Sequence, residues 1–182
     1  MRIRLSFAAV LALPVFAAPA LAADPALDSL FNRLGETTDR QEAARVETAI
    51  TRALAKSGSA TADLLLERGT QAMNKGDFDN ALDSFNKVIA LAPNFVEGWN
   101  RRATLYFLQG RFSASIADID RTLALEPRHF GALAGLGQIY LIMGRTPDAQ
   151  RAFQRALAAD PYLGSARQFL DALKKQAGEV AL

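Results

Sequence analysis

The feature that most constrains this chain is a 34-residue recurrence of proline and glycine. Pro93, Pro127 and Pro161 lie 34 residues apart, and each ends a similar tripeptide: Leu-Ala-Pro, Leu-Glu-Pro or Ala-Asp-Pro. Glycine keeps the same period, at Gly76, Gly110 and Gly144. Two residue types that share one period over three units indicate an internal structural repeat. With proline at position 32 of each unit, the repeats are 62–95, 96–129 and 130–163.

Each unit has the pattern of a pair of helices. The small residues are Gly69, Ala103 and Gly137 at position 8, and Ala81, Ser115 and Ala149 at position 20. Small residues let two helices approach closely. The recurring glycine suits a left-handed C-cap, and the proline ends the second helix. We predict helices at about 61–75, 78–91, 96–109, 112–125, 130–143 and 147–159.

This pattern resembles the tetratricopeptide repeat (TPR) family. In that family position 4 is bulky, positions 8 and 20 are small, positions 11, 17 and 24 are aromatic, and position 32 is proline. The resemblance covers 102 of the 182 residues. The departures are Arg68 and Arg102 at position 7, Ala72 at 11, Ser115 at 20, Thr122 at 27 and Thr146 at 17. The resemblance implies an all-α, right-handed superhelical solenoid of three helix-turn-helix repeats.

Both flanks of the repeats have helical patterns. Residues 23–60 carry two apolar stripes, Leu27, Leu30, Phe31 and Leu34, then Val46, Ile50, Ala53 and Leu54. We interpret them as a helical hairpin that stacks on the first repeat as a cap; the alternatives are a dimerisation element and a segment that occupies the repeat groove. Residues 164–177 are predicted to form a capping helix whose Phe169, Leu170 and Leu173 face the third repeat.

The N-terminus has the pattern of a secretory signal peptide over residues 1–22. Arg2 and Arg4 precede an apolar run, and Ala20 and Ala22 supply the small residues of a cleavage site. The run is too short for a permanent membrane span, and an uncleaved anchor is the alternative. We therefore expect a periplasmic protein of a Gram-negative bacterium, with no membrane span after cleavage.

Charge and composition exclude several classes of function. Removing Arg2 and Arg4 from the 21 basic residues leaves 19, equal to the 19 acidic residues. A neutral mature chain gives no electrostatic reason to bind nucleic acid. The chain has no cysteine, which excludes disulfides and thiolate chemistry.

No constellation of residues points to catalysis. The single histidine, His129, cannot build a typical zinc site or serve a histidine-based triad. We interpret it as an inter-repeat contact or a solvated turn residue. The acidic residues are scattered among basic neighbours. We predict no enzyme activity, no metal site and no cofactor.

The resemblance implies that residues of the first helix of each repeat line a concave groove that binds peptides. The predicted groove residues are Leu66, Thr70, Met73, Asn100, Arg101, Thr104, Phe107, Leu108, Gln138, Leu141 and Ile142. The best-known peptide-binding variant of the family clamps a terminal carboxylate with a set of basic and amide residues. At the matching positions of this chain, only Arg101 could serve in such a clamp. An apolar stripe along the groove marks an interface unless the chain itself buries it or it packs between helices.

These observations predict a periplasmic, non-catalytic scaffold or adaptor. Its partner would be another envelope protein or peptide with an apolar or amphipathic segment, bound in the concave groove. The alternative is a binding protein for a small apolar ligand held between the groove and the N-terminal hairpin. A homodimer is also open.

Overall fold

The computed structural model describes residues 24–180, with side chains to residue 175; the predicted signal peptide lies outside this range. Within it the secondary structure is entirely α-helical. The helices are α1 (Pro25–Glu36), α2 (Arg40–Leu54), α3 (Ala60–Asn74), α4 (Phe78–Leu91), α5 (Val96–Leu108), α6 (Phe112–Leu125), α7 (Phe130–Ile142), α8 (Thr146–Ala159) and α9 (Gly164–Val180). The predicted all-α repeat fold is confirmed, and every repeat helix begins and ends within one residue of its expected position.

The recurring glycines end the first helix of each repeat. Gly76, Gly110 and Gly144 have φ angles of +77°, +70° and +70°. This left-handed conformation favours glycine because it has no Cβ. At the start of α4, the Asp77 carboxylate accepts the Asn80 N–H, a free amide of the first helical turn. The chain can therefore turn sharply between antiparallel helices.

Inside each repeat, the size of the side chain at position 8 is matched to the size of the side chain it faces at position 24. A Cβ on Gly69 would lie 2.6 Å from the Phe85 ring, and one on Gly137 would lie 2.7 Å from the Phe153 ring. The second repeat has Ala103 at position 8, where the facing residue is the smaller Ile119. Glycine is thus needed where the opposing side chain is phenylalanine.

Successive repeats stack through a second face of the first helix. At position 3, a Cβ on Gly98 would lie 2.8 Å from Val88 of the preceding repeat. At position 10, Leu105 and Ile139 are fully buried. The same two positions in the first repeat are Leu64, which is 66% exposed, and Gln71, which is also exposed. The outer face of the first repeat is therefore open to solvent.

The N-terminal hairpin, α1 and α2, does not stack on this outer face, so the predicted cap is wrong. It packs instead against the inter-repeat edge, the junctions at residues 92–96, 126–130 and 160–163. Its own core is Phe31, Leu34, Ala43, Val46, Ile50 and Leu54, and Val96, Phe130 and Tyr162 of the three junctions pack against that core. These junction residues are apolar or aromatic and need cover, whereas the outer face of the first repeat is largely polar.

The C-terminal helix covers the third repeat, as predicted. The Phe169 ring packs 4.6 Å from the Phe153 ring, measured between centroids, and Leu170 joins the same cluster. Ala166 is fully buried against α8. Between residues 24 and 180, no helix is long and apolar enough to cross a membrane.

Candidate binding groove

The structure divides the predicted groove residues into three groups and sets Arg101 apart from all of them. Leu66 and Met73 are each only 7% exposed and belong to a core cluster with Phe95 and Leu105. They do not line an open groove, because these side chains of α3 pack toward the second repeat. Thr70 is half-buried, and its hydroxyl donates to the Leu66 carbonyl at 2.8 Å. For Leu66 and Met73 the alternative of packing between helices is correct.

A second group surrounds a pocket of about 300 Å³ between α5 and α7, called here the groove pocket. Five of the predicted groove residues line it. Its lining residues are Asn100, Ala103, Thr104, Phe107, Leu108, Ser115, Ile119, Gly131, Ala132, Ala134, Gly135, Gln138 and Ile139.

The groove pocket exists because α7 presents very small residues to α5. Gly131, Ala134 and Gly135 occupy neighbouring turns of one face of α7. A Cβ on Gly135 would meet only the Ile119 side chain, at 4.0 Å. The missing side chains leave a gap that the second repeat does not fill. The family pattern also assigns Gly131 and Ala134 to this face, but the predicted groove set kept only its larger residues, although the run of glycine and alanine was the available signal for a gap.

The groove pocket is uncharged and mainly apolar. Ile119 and Ile139 are buried, while Leu108 is 52% exposed. Asn100, Thr104 and Gln138 contribute amide and hydroxyl groups. All thirteen lining residues are neutral. The arrangement can bury an apolar group and can offer hydrogen bonds to neutral polar atoms beside it.

Arg101 does not line the groove pocket. Its guanidinium Nη2 lies 2.9 Å from Glu97 Oε1, in an ion pair one helical turn away. The Arg101 Nε is buried and has no hydrogen-bond partner among the described residues. The single basic residue predicted for the groove is therefore engaged within its own helix.

A buried polar cluster joins α5 to the start of α7, next to the groove pocket. His129 Nδ1 accepts the Ala132 N–H at 3.1 Å, so this histidine is the N-cap of α7. Its Nε2 lies 3.2 Å from Glu97 Oε2. Because Nδ1 accepts a hydrogen bond, the neutral ring carries its proton on Nε2, and this N–H donates a hydrogen bond to Glu97. His129 is thus an inter-repeat contact, one of its two predicted roles.

The charge on Glu97 is held by its neighbours. Burial alone would raise the pKa of this carboxyl group, but the hydrogen bond and attraction of His129, the attraction of Arg101 and the hydrogen bond of Asn100 together lower it below the ordinary glutamate value. Asn100 Nδ2 donates to Glu97 Oε2 at 2.7 Å. The carboxylate therefore connects His129 of the junction to Asn100 of the pocket wall.

The third group lies outside the groove pocket. Leu141 is half-buried against the cluster formed with α9, and Ile142 is 57% exposed at the end of α7. The predicted continuous apolar stripe is therefore interrupted. It consists of a buried part in the first repeat, a pocket in the middle and a separate apolar edge near the C-terminal helix.

A larger cleft, of about 940 Å³, lies between the N-terminal hairpin and two junctions of the inter-repeat edge. Leu27, Leu54, Phe95 and Leu125 contribute apolar surface. Charged residues also line it: Asp24, Asp28, Lys56, Glu126 and Arg128. Across the described residues no group of three or more histidine, aspartate and glutamate side chains is placed to hold a metal ion.

A comparison with protein-family models identifies the type of repeat. A family model described as tetratricopeptide repeat matches residues 66–124 and 100–164, which together exceed half of the chain. A TPR repeat-containing protein of Rhizobium etli is 38% identical over 90 residues, 50% of this chain and 44% of that protein. An uncharacterized protein of Methanocaldococcus jannaschii is 35% identical over 51 residues, 28% of this chain and 59% of that protein. The chain spans less than two thirds of the length of either relative.

Solved structures share the fold. The first TPR of Spaghetti (RPAP3), bound to HSP90 peptide SRMEEVD, has a TM-score of 0.61 at 22% identity and covers 66% of this chain and 95% of its own. The Sgt2 TPR domain from Aspergillus fumigatus has a TM-score of 0.61 at 20% identity, with coverages of 68% and 83%. MamA protein has a TM-score of 0.57 at 26% identity and covers 65% of each chain.

Proposed function

This chain belongs to the tetratricopeptide repeat family, and on that basis we propose that it is a non-catalytic scaffold that binds a peptide segment of another protein in the groove between α5 and α7. The observation that carries the proposal is the groove pocket, an uncharged cavity of about 300 Å³. A solvent-accessible groove of this kind adds no packing contacts between α5 and α7, so it does not contribute to the stability of the repeat array. A binding role gives the gap a function.

The pocket specifies the chemistry of its partner. Its volume is at the lower end of ligand pockets in proteins, about 300 to 1,000 Å³, which suits one bulky apolar side chain of a peptide. The amides of Asn100 and Gln138 suit hydrogen bonds to the peptide backbone on either side. We therefore expect an uncharged segment with one apolar anchor residue.

A terminal carboxylate is not the expected anchor. The RPAP3 neighbour binds a peptide, SRMEEVD, that is acidic toward its end. A carboxylate placed in the groove pocket of this chain would lose its hydration and meet no cation, because the lining is neutral and Arg101 is paired with Glu97. The fold is shared with that neighbour, and we propose that the partner chemistry is different.

The experiment that tests this function is site-specific photocrosslinking in the native host. A photoreactive residue at Leu108, in the pocket wall, is expected to crosslink a partner. Mass spectrometry of the crosslinked peptides would identify that partner. The same residue at Ala117, exposed on α6 and away from the pocket, should not give that product. Filling the pocket with Gly135→Leu should remove the crosslink, whereas the matched control Ala117→Leu should keep it. A crosslink that survives Gly135→Leu in a folded protein would contradict the pocket assignment.

We place this interaction in the periplasm, on the basis of the signal-peptide pattern of residues 1–22. Protein recovered from its host should begin at Ala23, which N-terminal sequencing would reveal. An intact N-terminus on protein from the cytosolic fraction would contradict this location.

The cleft at the N-terminal hairpin favours a second function, the binding of a small, largely apolar ligand. The ligand was predicted to lie between the groove and the hairpin, but none of the hairpin residues that the structure describes lines the groove pocket, so we propose this cleft at the inter-repeat edge instead. Its apolar walls and its volume of about 940 Å³ suit such a ligand, while its five charged lining residues indicate an amphiphilic rather than purely apolar molecule. Native mass spectrometry of protein purified from its host would detect such a molecule. A bare polypeptide mass would remove the alternative.

A further inference from the structure

One hairpin touches all three junctions of the repeat array. Val96 follows the first repeat, Phe130 follows the second and Tyr162 ends the third, and each packs against the hairpin core. In a solenoid each repeat normally contacts only its neighbours. The hairpin therefore holds the second and third repeats together from outside their own interface.

The contact at the middle junction combines ring packing with charge. The Phe31 and Phe130 rings meet edge to face, with centroids 6.5 Å apart and planes at 74°. The Arg128 guanidinium lies 4.3 Å above the centre of the Phe31 ring and pairs with Asp28 at 2.6 Å. Arg128 also pairs with Glu126 at 3.0 Å within the junction. This guanidinium holds α1 directly to the junction that begins α7.

The contact at the last junction is a hydrogen bond. The Tyr162 hydroxyl donates to the Thr37 carbonyl at 2.7 Å, at the turn between the two helices of the hairpin. The hairpin is thus attached at its turn to the third repeat, and α1 is attached through Asp28 to Arg128 of the second repeat.

The residues that the hairpin holds are chain neighbours of the polar cluster beside the groove pocket. Val96 precedes Glu97, and Phe130 follows His129. Glu97 holds the Asn100 side chain at 2.7 Å, and His129 holds the Ala132 N–H at 3.1 Å. Asn100 and Ala132 both line the groove pocket. The path from hairpin to pocket therefore consists of direct contacts and two chain neighbours.

We propose that the N-terminal hairpin sets the opening of the groove pocket by fixing α5 against α7 through the Glu97–His129 contact. This inference rests on the proposed function, because the pocket matters as a binding site. A partner or modification that displaced the hairpin would then change the affinity of the groove without touching it. Coupling of this kind requires a contact that differs between the two states, and the hairpin interface is that contact.

The test measures the pocket directly and needs no partner. The chain has no cysteine, so Thr104→Cys on α5 and Gln138→Cys on α7 place two spin labels uniquely on exposed positions that flank the pocket. Dipolar broadening in continuous-wave electron paramagnetic resonance reports the distance between them. In this background Phe31→Ala, which removes the contact with Phe130, is expected to lengthen and broaden the distance distribution.

Hydrogen exchange supplies a second readout in the chain without labels. The Ala132 amide is bonded to His129 Nδ1. Its exchange in Phe31→Ala is expected to be about fivefold faster, the change that loss of a helix N-cap produces.

The control is Phe169→Ala, which removes a ring contact of similar size between α9 and α8 and leaves the hairpin intact. It should leave both readouts as they are in the parent. If circular dichroism shows that Phe31→Ala unfolds the whole chain, Asp28→Asn decides instead, since it removes only the ion pair to Arg128. Parent-like label distances and Ala132 exchange in the folded hairpin variant overturn the proposal. Failure to crosslink a partner would contradict the proposed function and leave this coupling measurable.

Discussion

At the scale of the residue, comparison of the three repeats shows which residues occur together at positions 8 and 24. Gly69 and Gly137 face phenylalanine, whereas Ala103 faces isoleucine. The volume of the pair is thus shared between positions 8 and 24, as close packing requires. The second repeat adds a hydrogen bond of its own, because the Ser115 hydroxyl donates to the Ala103 carbonyl at 2.7 Å.

Gly137→Ala should destabilise the fold although alanine is the better helix former. The new Cβ would lie 2.7 Å from the Phe153 ring, and overpacking of this kind outweighs the gain of about 1 kcal/mol in helix propensity, for a net cost of about 1 to 2 kcal/mol. Adding Phe153→Ile, the combination of the second repeat, should recover part of that loss. Urea denaturation of the single and double variants measures both effects.

Gly135→Ala is the matched control for that experiment. It lies in the same helix, but its Cβ would meet only Ile119 at 4.0 Å. It should be neutral or stabilising by up to about 1 kcal/mol. Equal losses at positions 135 and 137 would contradict the packing argument and leave a general effect of α7 as the explanation.

At the scale of the element, the N-terminal hairpin docks with an electrostatic cost. Burial and the nearby Asp160 carboxylate raise the pKa of Glu47 on α2, and burial raises the pKa of Asp160 at the third junction. Both groups therefore hold protons more tightly in the folded chain than in the unfolded one. Their ionisation opposes folding, so stability falls as pH rises through their folded pKa values.

Glu47→Gln should remove this cost. The variant is expected to melt at a higher temperature than the parent at neutral pH, because the glutamine side chain has no charge to desolvate. The difference should shrink as pH falls below the ordinary glutamate pKa, because the raised pKa of Glu47 favours its protonated form there. Differential scanning fluorimetry across that range measures the trend. Glu36→Gln, which removes an exposed carboxylate from α1, is the matched control for the loss of one negative charge. A Glu47→Gln advantage that stays constant with pH would contradict the assignment.

At the scale of the whole molecule, the two ends of the repeat array differ in how far they are covered. The third repeat is covered by α9, while the outer face of the first repeat is exposed. The first repeat manages this exposure with polar side chains. Arg68 and Gln71 stand where the third repeat has the buried Leu136 and Ile139. A polar terminal face is what keeps a solenoid from extending by association.

Arg68→Leu combined with Gln71→Leu should therefore cause self-association. The double variant gives the outer face an apolar surface of the kind used between repeats, next to the already exposed Leu64. Size-exclusion chromatography with light scattering should show a mass that rises with concentration. Gln150→Leu with Gln154→Leu, an exposed pair at helical spacing on α8, controls for added hydrophobicity alone. If both double variants associate equally, the outer face has no special role.

The helical hairpins of the repeats could be predicted closely, whereas the docking of the N-terminal hairpin could not. The stripes of α1 and α2 indicated two amphipathic helices but carried no information on what they cover. A signal was present in the comparison of repeats: polar Gln71 replaces Leu105 and Ile139, and the junctions carry apolar Val96 and Phe130. Reading each stacking position across the three units would have favoured the inter-repeat edge.

The candidate site was predicted in part for a similar reason. Family positions placed Asn100, Thr104, Phe107, Leu108 and Gln138 on one side of the first helices, and these residues do line the groove pocket. The same positions in the first repeat hold Leu66 and Met73, which are buried. Equivalent positions differ in exposure because side chain size and the neighbouring repeat decide whether a gap remains.

The helices, their turns and the pairing within each repeat could all be predicted from the order of residues along the chain. Those features depend on local conformational preferences and on side chains 34 residues apart in a regular pattern: a left-handed glycine, a proline that ends a helix, and a small residue opposite a large one. The docking of the hairpin, the burial of particular apolar residues and the position of the pocket became clear only from the folded arrangement of the helices. These depend on contacts between elements far apart in the chain, such as Arg128 with Asp28 and Tyr162 with Thr37, and no periodic pattern encodes them.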